Sequence, residues 1–334
     1  MAAEAKVSVA TVSRALAGDA QISAATRTRV RDLASLLGYV PNQAARSLVR
    51  QRSTTFGLMT PDVTDPIHGQ IVTGFQRRAA ESGYTVILAN GLLDADTERR
   101  ELREFAAHRV AAVTAMGTVL PPKEAVGLVA PSPMMLIGSE HLPLRGGPYD
   151  LRTGCLRPDD RDGMRQVVTH LLERGYRRMA FVVASAAPWA SHVLRLAALT
   201  DALAEHALPA PAVYRAERAD TERLAPVAAR LRVDRPDVAI CYDDQTALHL
   251  MDGLRAVGLD VPGDIGVVGF DDIPFARIAN PRLTTVAQHA EDLGRTCVDL
   301  LLAALAGGRL PKSHALPVSL VIRETTPARQ GRRR

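Results

Sequence analysis

From Thr55 onward the chain repeats one pattern, an apolar run followed by a helical stretch, and it does so in two series. The first series has apolar runs at FGLM, TVILAN, AAVTAM and PMMLIG, separated by stretches such as QIVTGFQRRAAESG and ERRELREFAAH. The second has RMAFVVAS, DVAICY and IGVVGF, separated by DGMRQVVTHLLERG, SHVLRLAALTDALAEH and DQTALHLMDGLRAVG. Runs this short and this apolar read as strands buried on both faces, and right-handed crossovers then place helices over each side of a parallel sheet. The fold class is therefore α/β, with two Rossmann-like parallel-sheet subdomains. Ligands bind such open sheets beyond the carboxyl ends of the strands, so a cleft between the lobes is the expected small-molecule site. The Gly- and Pro-rich stretch from Ser139 to Leu156 reads as the crossing between lobes.

The segment ahead of this body has a different character. Residues 1–53 hold eight basic side chains (Lys6 and seven arginines) against Glu4, Asp19 and Asp32, which accounts for the whole formal net charge of +5. A positive head on a neutral body is what a polyanion-binding module needs, because neutralising phosphates releases counterions. Ser8 can cap a helix over Val9–Leu16 with Gly18 as its stop, and Ser23 can cap a second over Ala24–Leu37 ending at Gly38. Pro41-Asn42 marks a break, after which Asn42 can cap a short helix to about Val49. In SVATVSRALAG the small residues let a helix sit deep in a major groove, and Arg14 can reach guanine O6 and N7.

Several function classes drop out. No run of about 18 apolar residues is present to span a membrane, and the N-terminus lacks the basic-then-apolar order of an export signal, so a cytoplasmic protein is expected. Cys155, Cys241 and Cys297 are far apart and odd in number, which suits buried free thiols rather than a disulfide framework or a metal site. GxGxxG after a strand, GxxxxGK[ST], GxSxG and HExxH are all missing, so no enzyme chemistry and no cofactor is expected.

The run VSVATVSRALAGDAQISAATRTRVRDLASLLGYVPNQAARSL resembles the helix-turn-helix and hinge of the LacI/GalR family of bacterial regulators. The resemblance continues through GLMTPDVTDP, VTHLLERGYRRMAFV, CYDDQTAL, VPGDIGVVGFDDIP, PRLTTVAQ and LVIRETT, and so covers nearly the whole chain. It implies a helix-turn-helix over residues 1–40, a hinge helix and linker over 41–53, and a periplasmic-binding-protein-like core over 54–334. Within that core, lobe 1 is expected at about 54–154 plus 288–312 and lobe 2 at about 155–287 plus 313–327, followed by a basic tail over 328–334. Met1 then falls inside the family's first helix and Lys6 stands where a turn glycine is expected, which points to a start further upstream.

Residue by residue, the resemblance assigns Val9 and Ala10 to the specificity positions that open the recognition helix. It makes Thr11 and Ser13 phosphate- or groove-contacting, Arg14 base-reading, Asn42 part of the DNA-binding set, and Leu48 the hinge leucine that wedges into the minor groove. An apolar wedge has a physical rationale, since it unstacks one base step and bends the operator. In the cleft the same resemblance implies Arg195 as the residue bonding effector hydroxyls or carboxylates. It implies Asp271 at the end of an apolar strand, the Asp243-Asp244 pair, and Asp62, Asp65 and His68 on the opposite wall, with Trp189 able to stack on a sugar ring. Ile67-His68, Gly138 and Ala198-Leu199 depart from the family's aromatic and acidic positions. The implied function is a repressor that binds palindromic operator DNA as a homodimer under control of a carbohydrate or related metabolite. A solute-binding protein, or a sensor core with an impaired DNA head, is the alternative.

Overall fold

The computed structural model describes residues 1–16, 19–39, 53–138, 152–184, 190–217 and 219–329. The chain divides into two compact units, Met1–Ser53 and Thr54–Arg334.

In the first unit Met1–Lys6 form a hydrogen-bonded turn, with Ala5 N–H donating to the Met1 carbonyl at 2.9 Å. Helix α1 (Val9–Leu16) follows, its start held by Ser8 Oγ accepting from Thr11 N–H at 3.0 Å. Helix α2 (Ala24–Leu36) opens in the same way, with Ser23 accepting from Thr26 N–H, and it ends at Gly38 with φ +58°. Ala5, Val12, Ala15 and Val30 form the buried centre, and Met1, Val7, Leu16, Ile22 and Leu33 pack around it. Two of those four are alanines, so the elements approach closely over a small core. Lys6 adopts φ +50°, a left-handed conformation that strains a residue bearing a Cβ.

The second unit contains two parallel sheets. The first comprises β1 (Thr55–Thr60), β2 (Thr85–Asn90), β3 (Ala112–Met116), β4 (Met134–Ile137), β5 (Thr153–Pro158) and β11 (His314–Leu316). Their order is β2-β1-β3-β4-β5-β11 and every neighbour is parallel. Helices α3 (Pro66–Glu81) and α11 (Ala290–Leu305) cover one face, while α4 (Ala95–Ala107) and α5 (Pro122–Val129) cover the other. Gly74 and Gly294 let α3 and α11 touch backbone to backbone. A Cβ at Gly74 would meet Glu291 O at 1.9 Å, and one at Gly294 would meet Ile71 O at 2.2 Å.

The second sheet runs β7 (Ala212–Ala216), β6 (Met179–Ala184), β8 (Val238–Cys241), β9 (Gly266–Val268), again all parallel. Helices α6 (Asp160–Glu173) and α7 (Ala190–Glu205) pack on one face, and α8 (Thr221–Asp234) and α9 (Asp244–Ala256) on the other. A short α10 (Pro274–Ile278) follows β9, and β10 (Thr285–Ala287) pairs antiparallel with β12 (Ser319–Val321) beside it.

The lobe limits differ from those the sequence suggests. Residues Thr153–Leu156 pair in register with β4, and Leu156–Pro158 with His314–Leu316, so the first lobe keeps the chain through Pro158 and again through Leu316. Read as a strand, TGCLRP is weak, because glycine and proline frame it. Only its place between β4 and β11 makes it one. The three cysteines are free and buried.

Candidate effector cleft and DNA-contacting head

On α1, Val12 and Ala15 face the small core, which leaves Val9, Ala10, Ser13 and Arg14 on the exposed side. Val9 is 75% exposed, unusual for a large apolar side chain on so short a helix. Thr11 is half-buried and shares a hydrogen bond of 2.9 Å with the Ser8 hydroxyl. Arg14 is already engaged within the head: its Nε donates to Asp19 Oδ2 at 2.8 Å and its Nη2 to Gln21 Oε1. The guanidinium, with the Gln21 N–H, holds the Asp19 carboxyl below its usual range. Arg27 spans the same turn by donating to the carbonyls of Asp19 and Ile22. Asn42, Leu48 and Trp189 lie outside the described residues.

In the second unit four loops bring carboxylates to the carboxyl ends of the strands. Asp62 and Asp65 follow β1, Asp160 follows β5, Asp243 and Asp244 follow β8, and Asp271 follows β9. Asp65 and Asp243 are helix caps, accepting from Ile67 N–H at 3.1 Å and Thr246 N–H at 2.6 Å. Arg195 reaches into this group from α7. Its Nε donates to Asp160 Oδ1 at 2.8 Å, its Nη1 to the Tyr242 carbonyl at 2.6 Å, and Asp271 Oδ1 lies 3.9 Å away. The guanidinium carbon sits 3.7 Å from the Phe270 ring centre and 4.8 Å from that of Tyr242, so two aromatic faces enclose it. Burial opposes the Arg195 charge, but Asp160 and its neighbours outweigh that and hold its pKa above the ordinary value.

The remaining groups respond to the same enclosure. Burial pushes the Asp271 carboxyl well above the usual carboxylate range, even with Arg195 nearby, and Asp244, Asp243 and Asp65 add to the rise. Gln288 Nε2 donates to Asp271 Oδ1, and the backbone at Asp271 takes φ +130°. Asp243 is also raised, first by burial, and Asp65 from the facing lobe acts in the same direction. Arg195, Asp65, Asp243 and Asp271 therefore belong to one electrostatic group. A separate groove of about 430 Å³ is lined by Thr64 and Pro66 of the first lobe and by Gln245, His249, Ile273, Phe275 and Ile278 of the second, and none of the Arg195 group lines it.

Asp244 does not face the cleft. It is fully buried, with Oδ1 accepting from the Thr285 hydroxyl and Oδ2 from Ile273 N–H at 2.9 Å. Both oxygens are committed to joining α9 to the segments around it, so the ligand role expected for it becomes a structural one. Asp62 and His68 stay within their own loop: Asp62 Oδ1 accepts from the Thr64 N–H and hydroxyl, and His68 Nδ1 lies 2.8 Å from the Asp62 carbonyl. Sequence reasoning missed Asp160, Tyr242, Phe270 and Gln288. Asp160 sits in RPDDRDG, a stretch that reads as an ordinary helix cap, and only the fold brings it to Arg195.

With this geometry in place, comparison with known proteins assigns the two units. Residues 1–42 match the family described as bacterial regulatory proteins, lacI family, and residues 168–326 match the periplasmic binding protein-like domain. The HTH-type transcriptional regulator GalR of Escherichia coli (strain K12) is 31% identical over 92% of this chain and 88% of its own. The chain belongs to the lacI family of bacterial regulatory proteins. Another member, the HTH-type transcriptional repressor CytR of the same strain, is 28% identical over 98% of this chain and 95% of its own. Among solved structures of the family, the lac repressor dimer bound to operator and the anti-inducer ONPF matches with a TM-score of 0.84 at 26% identity, covering 98% of both chains. A transcriptional regulator CelR–cellobiose complex matches with a TM-score of 0.71 at 28% identity, covering 97% of this chain and 98% of that one. This lacI-family member is thus a helix-turn-helix transcription regulator with a periplasmic-binding-protein-like core.

Proposed function

We propose that this regulator binds a palindromic operator as a homodimer in the cytoplasm, and that a small molecule held between its two lobes sets its affinity for DNA. Repression is the mode that its relatives' names favour, and binding rather than turnover is its whole activity. The effector is a carbohydrate or related metabolite, in keeping with the cellobiose held by the CelR relative. Residues 1–40 act as the DNA head and 41–53 as the hinge. Val9, Ala10, Ser13 and Arg14 present the reading face, Thr11 supports it, Asn42 contacts the DNA, and Leu48 wedges into the minor groove. Arg195, Asp243 and Asp271 hold the effector from the second lobe, Asp65 closes on it from the first, and Trp189 stacks on it.

The observation that carries this reading is Arg195, buried among carboxylates at the ends of the strands in a chain whose net positive charge lies in its first 53 residues. The homodimer reading has its own support. Phe275 and Ile278 stand 53% and 77% exposed on the second lobe, and Ile87 and Leu88 are exposed on the edge strand β2 of the first. Apolar groups left open in both lobes of one body suit a second copy of the chain. Titrating the gene's own promoter DNA with the full chain across a range of salt tests the function. A steep loss of affinity with salt and tighter binding than to random DNA are expected. Equal affinity for both DNAs would reject a sequence-specific regulator.

A further inference from the structure

His192 stands two positions into α7, one turn ahead of Arg195. It is 6% exposed, and its Nε2 is buried with no hydrogen-bond partner among the described residues. Buried polar atoms are nearly always paired, and one left unpaired costs more than the average hydrogen bond returns, so an orphan calls for an explanation. The ring is fixed rather than loose: it meets the Tyr242 ring edge-on, with centres 4.0 Å apart at 85°. Tyr242 is held in turn by a hydroxyl–hydroxyl bond of 2.9 Å to Ser191, and its carbonyl accepts from Arg195. The charged groups acting on the ring are Arg195 and Arg215, and with burial leading they keep the imidazole neutral, its pKa pushed down to about 4. The result is an uncharged imidazole that packs, like the Arg195 guanidinium, on the Tyr242 ring, with an Nε2 unpaired among the described residues.

We infer that His192 is an effector-contacting residue whose Nε2 pairs with a neutral hydroxyl or amide of the ligand lying against Arg195, so that this atom sets which analogues the regulator accepts. The inference rests on the proposed effector cleft. A site that pairs a ligand hydroxyl through a buried group rejects the analogue lacking it, because the protein atom is then left unpaired.

The test uses the full chain and a thermal-shift screen of free ribose, cellobiose, galactose and cytidine, followed by titration of whichever stabilises the wild type. His192→Phe keeps the ring against Tyr242 but deletes the nitrogen, and His192→Gln keeps an amide nitrogen near the same place. Affinity is expected to fall about tenfold to a hundredfold in His192→Phe and to stay within a few-fold in His192→Gln. Unliganded His192→Phe should unfold at or above the wild-type temperature, since an unpaired buried atom has gone. Equal ligand affinity in wild type and His192→Phe would overturn the inference while leaving the cleft intact, as would equal losses in both variants with unfolding at a lower temperature. If no compound stabilises the wild type, the cleft reading fails and this inference fails with it.

Discussion

Arg195 and Asp160 form an ion pair closed off from water on both sides, with Nε 2.8 Å from Oδ1 and the side chains 4% and 3% exposed. Removing one partner of such a pair leaves a buried charge uncompensated. Arg195→Ala should therefore cost about 3–5 kcal/mol in denaturant unfolding. Arg195→Met combined with Asp160→Asn should recover most of that loss. Neither variant should answer to effector, although both should still bind operator where folded. A normal effector response in the double variant would remove Arg195 from the pocket.

Arg14 is tied to Asp19 and Gln21 in the free head, so reading a base requires it to leave those partners or to share them. Arg14→Ala should lower discrimination between operator and random DNA by about 1–3 kcal/mol, read as a ratio of dissociation constants. Thermal stabilisation of the core by ligand should be unchanged. Loss of both properties would mean that Arg14 serves the structure of the head.

Much of this was legible from sequence because it depends on local rules. Ser8 and Ser23 cap helices where serine should, the apolar runs became strands, buried except for TVILAN at the sheet edge, and Lys6 occupies the left-handed position where a glycine was expected. Arg195 could be picked out only by resemblance, since an arginine on a helix of mixed character reads as a surface residue. Its partners were invisible for a different reason. Asp160, Tyr242 and Phe270 lie 35, 47 and 75 positions from it, and only the packing of α6, α7 and the ends of β8 and β9 brings them together. Asp244 shows the converse, where adjacency to Asp243 suggested a shared role but successive residues at a helix start point in different directions.

Lys6 offers a direct test of backbone strain. At φ +50° a side chain is disfavoured by roughly 1–2 kcal/mol, a cost that glycine avoids. Lys6→Gly should raise the unfolding free energy of the head by about 1 kcal/mol, less whatever glycine's extra freedom in the unfolded chain returns. A head destabilised by this change would place the strain elsewhere.

A pH dependence follows from His192. Burial lowers its folded pKa to about 4, against about 6.5 in the unfolded chain. Between those values the unfolded state binds more protons, so stability rises with pH across the window and is fully present above about 6.5. The contribution lost on acidification is roughly 3 kcal/mol. Unfolding free energies measured from pH 4 to pH 7 should show this slope in wild type and a shallower one in His192→Phe. Parallel profiles would mean that the ring is solvated.

In the proposed regulator, cleft occupancy is coupled to the grip on DNA. The dissociation constant for operator, measured at fixed salt with and without a saturating compound that thermally stabilises the core, tests that coupling most directly. A change of about 5- to 150-fold is predicted, with the same factor in the compound's own affinity when operator is present. An operator affinity that stays constant while the compound saturates the protein would contradict it.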